Sequence, residues 1–193
     1  MKTREKREKK SRKGLYLALI IAFLMVTSIA GYVGNRSSNS EQYKYNKHLF
    51  VKVNNGWLTT TGNRQIFLNY GPKELENLSA DKVLLNELNN AQKIYISFNP
   101  DNEIERGVYE LQNNVFPLLT TQIVRACTDD VEGCEDKLIK NCSDASQYTM
   151  IISIKISNET KSAYSNNCLD INGDGDDLIK IVDKVILRLF GII

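Results

Sequence analysis

The chain has little of what most catalytic sites are made from. Its 193 residues include one histidine, His48, at the start of a predicted strand. A Gly-x-Ser-x-Gly elbow, a phosphate-binding glycine loop and a histidine-rich metal motif are all missing. The Cys-x-x-Cys pair of thiol oxidoreductases and of many zinc sites is missing too. These absences favour a role other than catalysis.

The composition is otherwise that of a folded protein, with 42% hydrophobic and 25% charged residues. It excludes wholesale disorder, a collagen-like repeat and a polytopic membrane protein. The net charge of +2 hides an asymmetry, because residues 1–13 carry net +6 and the other residues carry net −4. The body is therefore acidic, which argues against nucleic-acid binding.

An uncharged apolar run fills residues 15–33. At about 1.5 Å per residue it reaches about 28 Å, close to the hydrocarbon thickness of a bilayer. We predict a basic cytoplasmic tail at 1–14 and a transmembrane helix, or uncleaved signal-anchor, at 15–34. Basic residues stay in the cytoplasm, so the C-terminal domain is expected outside the cell membrane.

Two alternatives for this N-terminal segment stay open. The small-x-small pattern at residues 28–30 fits a signal peptide that is cut there. Residues 13–15, Lys-Gly-Leu, are similar to an archaeal prepilin-peptidase site, although Tyr16 departs from the residue expected there.

We expect a flexible polar stalk at residues 35–46 and one extracytoplasmic domain at 47–193. Alternating apolar residues separated by Asn/Gly turns predict a three-stranded antiparallel meander at 48–70. Farther on, Ser79 is expected to cap a short helix, and strands are predicted at 93–98, 122–127, 149–156 and 164–172. The pattern predicts a helix that starts near Asn102 and a C-terminal amphipathic helix at 178–190 with Gly191 as its C-cap. The predicted fold class is α/β, with α+β as the alternative.

All four cysteines, Cys127, Cys134, Cys142 and Cys168, lie in the body. An even number in an oxidising location predicts two disulfides, and the sequence alone allows three pairings. We favour Cys127–Cys134 and Cys142–Cys168. Zinc binding is the rival interpretation.

Glycosylation sequons outside the predicted span make Asn77, Asn141 and Asn158 candidate acceptors, with a further sequon at Asn35. Residues 170–175 match the opening of a calcium loop, with candidate ligands at Asp170, Asn172, Asp174 and Asp176. The bidentate acid expected at the twelfth position is Ile181 instead. The competing interpretation is a glycine turn whose acidic residues cap the last helix.

Several short stretches resemble a group of uncharacterised small single-pass archaeal membrane proteins: residues 45–50, 57, 71–77, 94–101, 126–129, 141–144, 167–168 and 183–191. The resemblance implies the same architecture and paired cysteines. It brings no catalytic signature.

Together these features predict a membrane-anchored binding or structural module of the cell envelope, with a protein partner and no cofactor. The alternatives are a thiol-dependent redox enzyme that uses Cys127 or Cys134, and a calcium-dependent adhesion module.

Overall fold

The computed structural model describes residues 16, 20, 21, 23–25 and 41–193. The chain divides into two compact units, Met1–Ser40 and Glu41–Ile193. In the first unit the six described residues are helical and exposed. Within the described part of the chain, none of the helices is both long and apolar enough to cross a membrane. The basic tail, residues 35–40 of the stalk and most of the segment 15–34 lie outside the described residues.

The second unit starts with an antiparallel meander of four strands in chain order. They are β1 (Gln42–Tyr45), β2 (His48–Val53), β3 (Gly56–Thr61) and β4 (Arg64–Leu68). Tight turns join them, with positive φ at Asn54 and at Gly62, as the Asn/Gly signals predict. The prediction of three strands was wrong by one, because β1 lies in the expected stalk 35–46. Tyr43 holds β1 in place by stacking on Phe50 with ring centroids 5.6 Å apart.

A six-stranded mixed sheet forms the other half of the unit, in the order β5-β9-β10-β8-β6-β7. Its strands are β5 (Ser79–Ala80), β6 (Lys93–Ser97), β7 (Gln122–Ala126), β8 (Thr149–Ile156), β9 (Lys161–Ser165) and β10 (Cys168–Gly173). Strands β7, β6, β8 and β10 are mutually parallel, and β9 runs antiparallel to β10. The predicted mixed α/β content is therefore present.

Three α-helices, α1 (Leu85–Asn90), α2 (Asn102–Asn114) and α3 (Asp176–Leu189), accompany these strands. The last is the predicted C-terminal helix, and it is buried on nearly every side. It packs on α2 and on β10 of the larger sheet. The meander packs on the side of the helices opposite the larger sheet. Asn46, in the turn between β1 and β2, donates a hydrogen bond to the carbonyl of Ile192. One continuous core results, with the helices between the two sheets.

Local turn chemistry explains how α3 ends. Gly191 has φ of +64°, the left-handed conformation that favours glycine. Its N–H donates to the carbonyl of Arg188, and the N–H of Ile192 donates to that of Leu187. This is a Schellman motif, so the predicted role of Gly191 at the helix end is confirmed.

Two predicted elements were wrong. Ser79 lies in β5, and α1 begins later, at Leu85, where the Glu87 carboxylate accepts the N–H of Leu84. The predicted strand 164–172 is a hairpin of β9 and β10, because Asn166 and Asn167 both adopt positive φ and reverse the chain.

Candidate binding surface

Residues 127–148, here called the strap, join β7 to β8 and contain no strand or α-helix. They cross the face of the larger sheet that is turned away from the helices. Ile94 and Ile96 of β6 point into the core, so Ser97 points to this opposite face, where its hydroxyl donates to the carbonyl of Lys140. The N–H of Cys127 donates to the carbonyl of Leu138 over 2.8 Å. The strap therefore covers the second face of the sheet.

Two disulfides hold the strap, and the prediction of disulfide bonding is confirmed. Cys127–Cys134 closes a short loop within it, and Cys142–Cys168 ties it to the start of β10. These are the pairs favoured from the sequence. None of the four cysteines is free. The first disulfide thus closes a loop at the start of the strap, and the second fixes Cys142, nearer its end, to the sheet.

The outer side of the strap exposes apolar and acidic side chains together. Its large apolar residues are exposed by between 40% and 55%: Val131, Leu138, Ile139 and Tyr148. The strap also carries exposed carboxylates: Asp129, Asp130, Glu132, Glu135 and Asp136. Exposed apolar side chains on one segment with charged ones are a feature of protein-interaction surfaces.

A crevice of about 390 Å³ adjoins the strap at the carboxyl ends of β6, β7 and β8. This is a topological switch point of the sheet, because the next two strands along the chain after β6, β7 and β8, lie on opposite sides of it. The side-chain carbonyl of Asn99 accepts the N–H groups of Thr128 and Asp129, and its amide donates to the Asp129 carboxylate over 3.0 Å. Hydrogen bonds from Asn99 and Thr128 lower the pKa of Asp129. The crevice thus keeps an ionised carboxylate beside Lys155, which also lines it.

The four candidate calcium ligands do not surround a common centre. Asp170 and Asn172 lie in the extended strand β10 and hydrogen-bond to each other over 2.8 Å. Asp174 follows in the turn before α3, and Asp176 is the first residue of that helix; both are exposed. Among the residues that the structure describes, no group of three or more His, Cys, Asp or Glu side chains is arranged to hold a metal ion. The placement matches the competing interpretation, in which acidic residues favour the positive end of a helix.

The three candidate glycosylation sites in the described region are all exposed: Asn77, Asn141 and Asn158. Asn141 lies in the strap, where its side-chain oxygen accepts the N–H of Ser143 over 2.9 Å and caps a short 3₁₀ turn. The structure therefore leaves each acceptor accessible, and occupancy stays a prediction.

A second groove, of about 450 Å³, runs along the outer side of α2. Asn69 donates to the Glu110 carboxylate at its edge over 3.0 Å, and burial raises the pKa of Glu110. Arg125 and Glu105 form an exposed ion pair at 3.5 Å in the same groove. His48, the one histidine of the sequence, does not line this groove: it lies in β2 of the meander, next to the carbonyl of Thr60. These contacts support the fold and assemble no nucleophile with a base.

No protein-family model, curated protein or solved structure matches the chain. The resemblance to small archaeal membrane proteins thus stays a prediction.

The strap's exposed apolar residues were not singled out from the sequence. Leu138, Ile139 and Tyr148 show no period in the printed chain, because the segment that carries them is neither helix nor strand. The available signal was the spacing of the cysteines, which predicted a stapled segment without indicating which side chains would face outward.

Proposed function

We propose that the chain is a membrane-anchored, extracytoplasmic binding module of the cell envelope, and that the strap contacts a protein partner. The basic residues 1–13 and the apolar run 15–33 support the location. The observation that carries the binding role is the strap itself, where two disulfides fix an exposed set of apolar side chains. Fixing the segment beforehand reduces the conformational entropy lost when a partner binds.

The charge of the strap defines the chemistry of its partner. Six Asp or Glu and two Lys lie within residues 127–148. A complementary surface has an apolar centre and a rim rich in Lys or Arg. Rim charges of this kind mainly accelerate association, so the rate of complex formation should fall as salt rises.

The two alternative functions have less support. A thiol enzyme needs a thiolate nucleophile, whereas all four cysteines are paired. Calcium-dependent adhesion needs a ligand set, whereas Asp170 and Asn172 lie in a strand and hydrogen-bond to each other, and the described residues contain no group of three acidic, His or Cys side chains arranged to hold a metal ion.

Site-specific photo-crosslinking in native membranes tests the proposal. A photoreactive phenylalanine analogue replaces Tyr148 in the strap, and the matched control carries it at Tyr109, an equally accessible tyrosine on α2. We expect a discrete crosslinked protein from position 148 and none from position 109. An absence of crosslinks at 148, or the same products from both positions, would contradict binding through the strap.

A further inference from the structure

The meander has an apolar face that the core does not use. Side chains alternate along each strand, so Phe50, Trp57, Ile66 and Leu68 enter the core. Five apolar residues lie on the opposite face and are here called the outer patch: Leu49, Val51, Val53, Leu58 and Phe67.

The strand register makes the outer patch continuous. Val51 pairs with Leu58, and Leu58 pairs with Phe67, so one row crosses β2, β3 and β4. Leu49 and Val53 flank that row along β2. Leu49, Val53 and Phe67 are exposed by between 36% and 49%, and Val51 and Leu58 are half-buried. Contiguous apolar surface of this kind marks a contact with a partner or with lipid.

The segment that carries the outer patch differs in net charge from the remaining domain. Residues 41–70 contain four basic residues and one acidic residue, net +3, whereas residues 71–193 carry net −8. Lys44 lies on the patch side of β1, directly opposite Leu49. Lys47 follows in the turn between β1 and β2. An apolar surface with a basic rim complements an anionic one.

The chain length also places the meander close to the predicted membrane segment. Seven residues separate Val33, the end of the apolar run, from Glu41, so the connection spans eight residue steps, and β1 follows at Gln42. At most about 3.6 Å per residue, this connection reaches no more than about 29 Å. The meander is therefore the part of the domain that the connection joins directly to the predicted membrane segment.

From these observations we propose that the outer patch lies on the anionic surface of the membrane in which the chain is anchored. The inference rests on the anchoring in the proposed function. Phe67 and the aliphatic side chains enter the boundary between headgroups and acyl chains, and Lys44 and Lys47 approach lipid phosphates. A second copy of the chain and a protein partner are the competing occupants.

Spin-label accessibility on the full-length chain tests this contact. The native cysteines are all paired, so a Phe67→Cys variant provides one reactive thiol for a nitroxide label. Tyr109→Cys is the control, and Leu49→Cys replaces the test site if Phe67→Cys does not fold. Collision rates with oxygen and with a water-soluble nickel chelate are compared in vesicles with and without phosphatidylglycerol.

We expect the label at position 67, in anionic vesicles, to collide more with oxygen and less with nickel than the label at 109. Lys44→Gln and Lys47→Gln should each lower the ratio of docked to undocked chain about fivefold. Equal accessibility at 67 and 109 would overturn the inference. Spin–spin broadening at 67 that grows with protein density would assign the patch to a second copy instead.

Flotation of the same vesicles separates this contact from the anchoring. If the chain floats while label 67 behaves as the control does, the anchor stands and the docking contact is rejected. If the chain does not float, the anchoring is wrong and the docking inference is rejected with it.

Discussion

Replacing Asp183 with asparagine should stabilise the protein at neutral pH and leave it unchanged in acid. The Asp183 side chain in α3 is fully buried, and one carboxylate oxygen accepts the N–H of Tyr70 over 2.8 Å. The other oxygen has no hydrogen-bond partner among the described residues. Asparagine keeps the shape and the acceptor but cannot ionise, so it imitates the protonated acid.

The pH dependence follows from the environment of this carboxyl group. Burial raises the pKa of Asp183 well above its ordinary value, the N–H of Tyr70 opposes the increase, and the carboxylates of Glu110 and Glu74 add to it. Above about pH 4 the unfolded chain loses this proton while the folded protein keeps it. Stability is therefore fully present below the ordinary pKa of Asp, and it is lost as the pH rises through the folded pKa.

In that window each pH unit costs about 1.4 kcal/mol of unfolding free energy. For a body of this size, residues 41–193, that corresponds to about 3–6 °C in Tm. Some pH dependence should persist in the Asp183→Asn variant, because burial also raises the pKa of Glu110.

Urea unfolding between pH 4 and 8, with the disulfides intact, measures this difference. The wild-type and Asp183→Asn curves should coincide near pH 4 and diverge above it, with the variant more stable. The control is Asp136→Asn, an exposed carboxylate in the strap, whose stability should follow that of the wild type. If Asp183→Asn is less stable throughout the range, the buried carboxylate is ionised and stabilising, and the reasoning fails.

Three further perturbations test the packing. Serine in place of both cysteines should cost about 3.5 kcal/mol at Cys142–Cys168 and about 2.4 kcal/mol at Cys127–Cys134, because the first disulfide closes 26 residues and the second seven. Free energies from urea unfolding check the order, each fitted with its own m-value because removing a crosslink expands the unfolded chain. Lys184→Met should cost about 1–3 kcal/mol, because the ammonium donates to three backbone carbonyls that would lose their partner, and the exposed Lys82→Met should be neutral. Millimolar calcium should leave the thermal midpoint unchanged, since Asp170 lies in an extended strand; a calcium-dependent rise would restore the loop hypothesis.

Elements with a strong local period were predictable. The C-terminal helix repeats its apolar residues with helical spacing, and β8 occupies Thr149–Ile156 as its isoleucine-rich sequence indicates. The even number of cysteines predicted two disulfides, but the sequence allowed three pairings, and the structure contains the one that was favoured. For the helix and the strand the information lies within about fifteen consecutive residues, where propensity and burial agree.

Features set by distant contacts were not predictable. β1 is polar in sequence, and it becomes a strand because Tyr43 stacks on Phe50 of β2 and packs edge-on against Trp57 of β3. Asp183 looks like one polar position on an amphipathic helix, yet the meander covers it through Tyr70, 113 residues away in sequence. A helix that is buried on both sides must pack against two other elements. The spacing of its apolar residues shows that it is buried and does not show which elements cover it.

The layer order gives the two proposed contacts opposite directions. The meander lies on one side of the helices, the six-stranded sheet lies on the other, and the strap covers that sheet's far face. Sheet–helix–sheet packing separates the two sheets by roughly 20 Å. If the outer patch lies on lipid, the strap therefore faces away from the bilayer, toward any partner in the envelope. The basic surface of residues 41–70 then meets the anionic membrane, and the acidic remainder avoids it. In that arrangement the charge division orients the domain, and the strap is left accessible to the proposed protein partner.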